Sequence, residues 1–128
     1  MQLSIDTSTR FASVAVSHGV NLVAERTWRA ERNHSVELVP AIRAIMNGAG
    51  VTPSDLDALY VANGPGGFSA LRVGMATAKS LAISLEVPLV AVGTLEIEMA
   101  PHLPSDLPVC AILDGGGDRM YAGWLETV

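Results

Sequence analysis

Two short segments hold the residue types that could do chemistry. Asp6-Thr7-Ser8-Thr9 places a carboxylate and three hydroxyls at the end of an alternating, strand-like run. The amides of a tight turn there can face a phosphate or a metal-bound water. The same residues can equally close an Asx or Ser/Thr turn that satisfies its own backbone. Gly64-Pro65-Gly66-Gly67-Phe68-Ser69 lets a backbone approach a ligand closely, and the helix that follows would offer free N–H groups and a positive dipole end to an anion. It does not end in Gly-Lys-Ser/Thr and lacks the G-x-G-x-x-G spacing, so neither a Walker loop nor a dinucleotide fingerprint is present. Its glycines could instead only permit tight strand-to-helix packing. The candidate contacts are therefore Asp6, Thr7 and Ser8 at the strand end, and Gly64, Gly66, Gly67, Phe68 and Ser69 in the glycine loop.

Other chemistries find little support. His34 has Leu38 where a second zinc ligand would stand four residues on, and His18 and His102 have no ligand partner at a metal spacing. Ser8 and Ser69 lack the Gly-x-Ser-x-Gly elbow of many serine hydrolases. The lone Cys110 can form neither an internal disulfide nor a Cys-rich metal site, which suits a reducing compartment. Neither zinc hydrolysis nor a serine hydrolase is expected, and the three histidines read most simply as surface or core residues.

The elements that must position these segments follow from hydrophobic period. Met1 to Asp6, Ala12 to His18 and Leu22 to Trp28 alternate as three antiparallel strands joined by polar turns. Val36, Val39, Ile42, Ala44-Ile45 and Ala49 recur at helical spacing, with Ser35 or His34 as cap, Pro40 near the first turns, and Gly48 and Gly50 ending the helix near Asn47. Leu59 to Ala62 is a short strand running into the glycine loop. From Ala70 to Leu85 a second helix carries Leu71, Met75, Ala78, Ala82 and Leu85 on one stripe. Pro88 to Val92 is a buried strand, Thr94 caps a short helix through Met99, and Val109 to Leu113 returns as a hairpin with Met120 to Thr127. A meander followed by alternating helices and strands implies the α/β class, a mixed sheet with helices packed on it.

Composition bounds the rest. The chain has 128 residues, 49% hydrophobic and 16% charged, so it argues for one folded domain rather than disorder. So few charges cover the exposed surface thinly, which points to a partner surface. In the second helix Gly74, Ala78 and Ala82 fall four apart and would allow close backbone approach. The opposite side holds Val73, Thr77, Ser80 and Ser84 with Arg72, Lys79 and no carboxylate, and reads as a partner face. A net charge of −5 argues against unaided binding to a polynucleotide. No uncharged run suits a membrane span or signal core, so a soluble, cytoplasmic protein without membrane contact is expected.

Taken together and in this order, several segments resemble the TsaB (YeaZ) family, accessory proteins for threonylcarbamoyladenosine formation in transfer RNA. They are Ile5-Asp6-Thr7-Ser8, Asn33-His34-Ser35 with Leu38 and Pro40, Gly64 through Gly74, and Ala78-Lys79-Ser80-Leu81-Ala82. The resemblance implies an actin/sugar-kinase/Hsp70-like (ribonuclease H-like) lobe with a five-stranded mixed sheet. Residues 1–114 would form that N-terminal lobe, and 115–128 would begin the connection or a second lobe. It also implies a non-catalytic role beside the paralogue TsaD, which performs the transfer, with TsaE reached through the complex and tRNA met only indirectly. The family contact uses the helices at Ser35 to Asn47 and Ala70 to Leu85, packed on TsaD or, in its absence, on a second copy as a homodimer. The interface candidates there are Val36, Arg43, Arg72, Val73, Ala76, Thr77, Lys79 and Ser80. No cofactor is expected on this chain alone, and any ATP or ADP would sit at a shared interface.

The chain departs from the family pattern twice. Gly66-Gly67-Phe68-Ser69-Ala70 stands where the family usually has Gly-Ser-Phe-Thr-Gly, and Gly115-Gly116-Gly117 occupies a motif that is otherwise basic. Two other readings compete with the accessory role. One is a nucleotide-handling phosphotransferase of the sugar-kinase type, which would close two lobes over its substrate. The other, disfavoured by the missing metal ligands, is a glycoprotease-like metallopeptidase.

Overall fold

A computed structural model describes residues 1–30 and 34–126. Asn33, part of the family-like segment, and the end of the last strand expected at Thr127 lie outside the described residues. Strands β1 (Gln2–Asp6), β2 (Phe11–His18) and β3 (Asn21–Arg29) form the antiparallel meander, and helix α1 (His34–Ala49) follows. Strand β4 (Ala58–Ala62), helix α2 (Phe68–Leu85) and strand β5 (Leu89–Val92) then make a parallel crossover. The five-stranded sheet has the order β3-β2-β1-β4-β5, antiparallel among the first three and parallel from β1 onward.

Alternation decides which face is covered. Leu3 and Ile5 of β1, Val14 and Val16 of β2, and Leu59 and Val61 of β4 point to one side and are buried. They meet Leu38, Ala41, Ile42, Ile45 and Met46 of α1, and Ala78 and Ala82 of α2, in a single core. Both helices therefore lie on the same sheet face and touch each other. The Trp28 indole N–H donates to Glu37 Oε2 at 2.8 Å and ties β3 to α1.

Several boundaries differ from those read in the sequence. Helix α1 runs through Gly48 to Ala49, because Gly48 adopts helical geometry and it is Gly50, at φ +66°, that turns the chain. The Val51 amide then donates to the Met46 carbonyl at 2.9 Å and closes the helix. Helix α2 starts at Phe68, two residues early, with Gly67 as its cap. Thr94 does not cap helix α3 (Thr94–Met99): Gly93 holds that position, and the Thr94 side chain is fully buried with no partner for its hydroxyl among the described residues. Met75 leaves the core stripe and is 40% exposed, since α2 buries only the small residues Gly74, Ala78 and Ala82.

Strands β6 (Val109–Asp114) and β7 (Met120–Leu125) pair with each other in a separate two-stranded sheet. The division expected at 114/115 falls at the turn of this hairpin. Its Ala111 and Gly123 side packs on α3, where a Cβ at Gly123 would meet Leu95. Among the described residues, no helix is long and apolar enough to cross a membrane.

Candidate functional site

The strand-end turn and the glycine loop, 58 residues apart in sequence from Asp6 to Gly64, come together at the C-terminal ends of β1 and β4. Parallel pairing of these strands brings both loops out on the same edge of the sheet. The turn then closes on itself: Asp6 Oδ1 accepts from the Ser8 amide at 2.8 Å and from the Ser8 hydroxyl at 2.5 Å. This is the Asx-turn arrangement that the residue types allow.

The turn is also clasped by α2. The Thr7 hydroxyl donates to the Ala70 carbonyl at 2.6 Å, and Thr7 is buried. Gly74 lies one helical turn on, and a Cβ there would collide with Thr7 Oγ1 while reaching 3.2 Å from its methyl. Gly66 is equally constrained, because a Cβ would drive into the Ser8 carbonyl oxygen and approach Ser8 Cα to 2.9 Å. Two glycines of the loop-helix block thus serve close backbone approach of one loop to the other. At Gly64 the constraint is conformational, with φ at +107°.

What remains open to solvent is Gly67, Phe68 and Ser69, exposed at the start of α2. They border a cleft of about 710 Å³ that also takes in Ser8, Arg10, His34, Asp114 and Tyr121. Its walls come from the β1–β2 turn, the beginning of α1, the beginning of α2 and the β6–β7 turn. The His34 Nε2 atom is buried without a partner among the described residues. Arg10, His34 and Tyr121 were not singled out as cleft residues in the sequence, since their meeting depends on the tertiary arrangement. Among the described residues no group of three or more His, Cys, Asp or Glu could hold a metal ion.

A second surface lies on the outside of the helix pair. Six of the eight interface candidates are exposed there: Val36 and Arg43 on α1, and Arg72, Ala76, Lys79 and Ser80 on α2. Thr77 is half-buried, and Val73 packs partly against the core instead of facing outward. The surface adds apolar residues that those candidates did not include, namely Val39, Met75 and Ile83, the last 68% exposed. Val36, Val39, Arg43 and Asn47 on α1, and Arg72, Met75, Lys79 and Ile83 on α2, repeat at three or four residues, which is the signal that could have found them.

The chain matches the family model described as "TsaD: tRNA N6-adenosine threonylcarbamoyltransferase" over residues 28–127. It is 35% identical over 121 residues to the tRNA threonylcarbamoyladenosine biosynthesis protein TsaB of Bacillus subtilis, covering 94% of this chain and 53% of that protein. It is also 39% identical over 101 residues to a tRNA N6-adenosine threonylcarbamoyltransferase of Pyrobaculum aerophilum, covering 77% of this chain and 29% of the relative. Among solved structures, YeaZ from Pseudomonas aeruginosa superposes with a TM-score of 0.88 at 31% identity, over 99% of this chain and 60% of that one. The chain spans about half the length of the TsaB relative it matches.

Proposed function

The chain belongs to the TsaB/YeaZ family, and we propose that it serves threonylcarbamoyladenosine biosynthesis as a non-catalytic partner of TsaD. The observation that carries this reading is the outer face of α1 and α2. Val36, Val39, Met75 and Ile83 are large apolar side chains left exposed on two adjacent helices that already bury their other faces. Large apolar side chains left exposed on two neighbouring helices suit a protein interface. The clasp around Thr7 supports the non-catalytic part, because it commits the Thr7 hydroxyl and both glycines to packing. In this reading the chain lends TsaD a helix face, TsaE joins through the complex, and tRNA is engaged by TsaD.

Ala76→Glu is the direct test. Ala76 is exposed, so a carboxylate there is solvated in the free chain and would be desolvated only in the complex. Affinity for TsaD from the same genome, measured by titration calorimetry, should fall at least about tenfold while the melting temperature moves by no more than about 2 °C. Unchanged affinity would remove this face from the interface.

The cleft supports a second, subordinate proposal. The exposed start of α2, with Arg10 and Ser69 beside it, suits a phosphate. The cleft is open to solvent, so ATP or ADP would be held there only with a partner closing over it.

A further inference from the structure

Strand β3 forms one border of the five-stranded sheet, and among the described residues it pairs with β2 alone. The ladder is regular from Ala24 to Arg29, since its one irregularity falls at Val16/Ser17. The Ala30 amide donates to the Arg10 carbonyl at 2.9 Å, which continues the same register by one pair. Backbone groups alternate in direction along a strand, so Trp28, Arg26 and Ala24 also turn their N–H and C=O toward β2. Glu25, Thr27 and Arg29 turn theirs outward, to an edge that no proline or bulge blunts between Ala24 and Arg29. The opposite border, β5, is only four residues long and offers a much shorter edge. Side chains follow the same alternation. Ala24, Arg26 and Trp28 stand opposite Val16, Val14 and Ala12, which are buried on the helix side, and Glu25, Thr27 and Arg29 occupy the other face. Arg26 lies over the Trp28 ring at 5.7 Å.

We propose that β3 is a self-pairing edge, at which two copies of the chain join antiparallel with Thr27 opposite Thr27 and continue the sheet across a two-fold axis. Every outward amide of Glu25, Thr27 and Arg29 then meets a carbonyl of the second copy. The order of charges selects this register. Centred on Thr27, the pair sets Glu25 opposite Arg29 twice, and Arg26 of each copy opposite the aromatic face of Trp28 of the other. Centred on Arg26 it would oppose two arginines, and centred on Glu25 two carboxylates. Centred on Trp28 it would set Arg29 opposite Thr27 and forfeit both ion pairs. Edge charges ordinarily discourage pairing, but here they oppose the neighbouring registers and favour one. None of these residues belongs to the outer face of α1 and α2, so self-pairing at β3 and a contact with TsaD would use different side chains, and neither reading depends on the other.

Sedimentation equilibrium of the full chain tests this over about 5–500 µM, both as wild type and with Ala76→Glu so that the helix face does not contribute. Both should dimerise. Amide exchange at Glu25, Thr27 and Arg29 should slow as concentration rises, while exchange at Arg26 and Trp28, already bonded to β2, should not change. Glu25→Arg and Arg29→Glu should each weaken self-association at least about tenfold, because each sets like charges opposite one another twice. An equimolar mixture of those two variants should recover the wild-type affinity, since every opposed pair is again an acid with a base. Thr27→Pro removes an outward N–H and none bonded to β2, so it should abolish pairing without touching a charge. A chain that stays monomeric throughout, or a dimer that survives both charge reversals and Thr27→Pro, would overturn the proposal. So would a dimer that Ala76→Glu dissolves, reversals whose mixture fails to recover, or amides that slow only when TsaD is added.

Discussion

Gly48→Ala and Gly74→Ala are the same substitution in two helices of one core, and the structure assigns them opposite signs. In each case alanine gains about 0.8–1.0 kcal/mol of helix propensity over glycine. At Gly48, exposed near the end of α1, an added Cβ meets nothing within 4 Å, so that gain stands and stability should rise by about 0.5–1 kcal/mol. At Gly74 the Cβ collides with the Thr7 hydroxyl and lies 3.2 and 3.3 Å from its methyl and Cβ. Thr7 is buried and its hydroxyl is committed to the Ala70 carbonyl, so it can yield only by breaking that bond or by shifting α2. An unmade buried hydrogen bond costs about 1–3 kcal/mol and forced overpacking about 1–3 kcal/mol. Less the propensity gain, Gly74→Ala should destabilise by roughly 1–5 kcal/mol. Thr7→Ala alone should cost about 1–2 kcal/mol for the lost bond and methyl. Because it also removes the colliding atoms, the Thr7→Ala/Gly74→Ala pair should recover at least about 1 kcal/mol relative to additivity. Equilibrium urea unfolding reads all four variants. A stabilising Gly74→Ala, or strict additivity with Thr7→Ala, would refute the clasp.

Gly66→Ala drives a Cβ into the Ser8 backbone, which has no rotamer to yield, and should cost about 2–3 kcal/mol in the same urea experiment. The amino terminus donates to Asp57 at 3.0 Å and lowers that carboxyl below its ordinary value, while the Thr52 amide and hydroxyl do the same for Asp55. Both carboxyls bind protons less readily in the folded state, so their contribution is present above the unfolded value and lost as pH falls through the lowered folded values. Asp57→Asn should accordingly flatten the acid limb of the stability–pH curve. Millimolar ATP or ADP should leave the melting temperature of the chain alone within about 1 °C, and a dose-dependent rise would assign nucleotide to the isolated chain and favour the phosphotransferase alternative.

The meander and the mixed sheet with helices packed on it were legible from hydrophobic period and element order, whereas the placing of both helices on one sheet face was not. Leu3, Ile5, Val14 and Val16 alternate cleanly, so the covered side of each strand follows from its own pattern. Errors gathered where local propensity competed with context. Gly48 breaks a helix on paper but not when Ile45 and Met46 anchor the last turn in the core. Thr94 is a good capping residue, but its side chain is buried and Gly93 adopts the extended cap geometry. In the candidate site, the types of Asp6, Thr7, Ser8 and the glycines were informative, and their partners were not. That Thr7 fits between Ala70 and Gly74, or that Gly66 meets Ser8, depends on contacts about 60 residues apart, which no local pattern encodes. Met75 was misplaced because α2 reaches the sheet through its small residues, so that the larger side chain turns outward.

Crosslinking shows directly which surface of the chain meets TsaD. A photo-crosslinking phenylalanine at Ala76, on the outer face of α2, and another at Trp124, on the exposed side of the β6–β7 hairpin, compare the two apolar surfaces directly. With TsaD from the same genome, the probe at 76 should form a covalent adduct and the probe at 124 should not. An adduct from 124 with none from 76 would contradict the account.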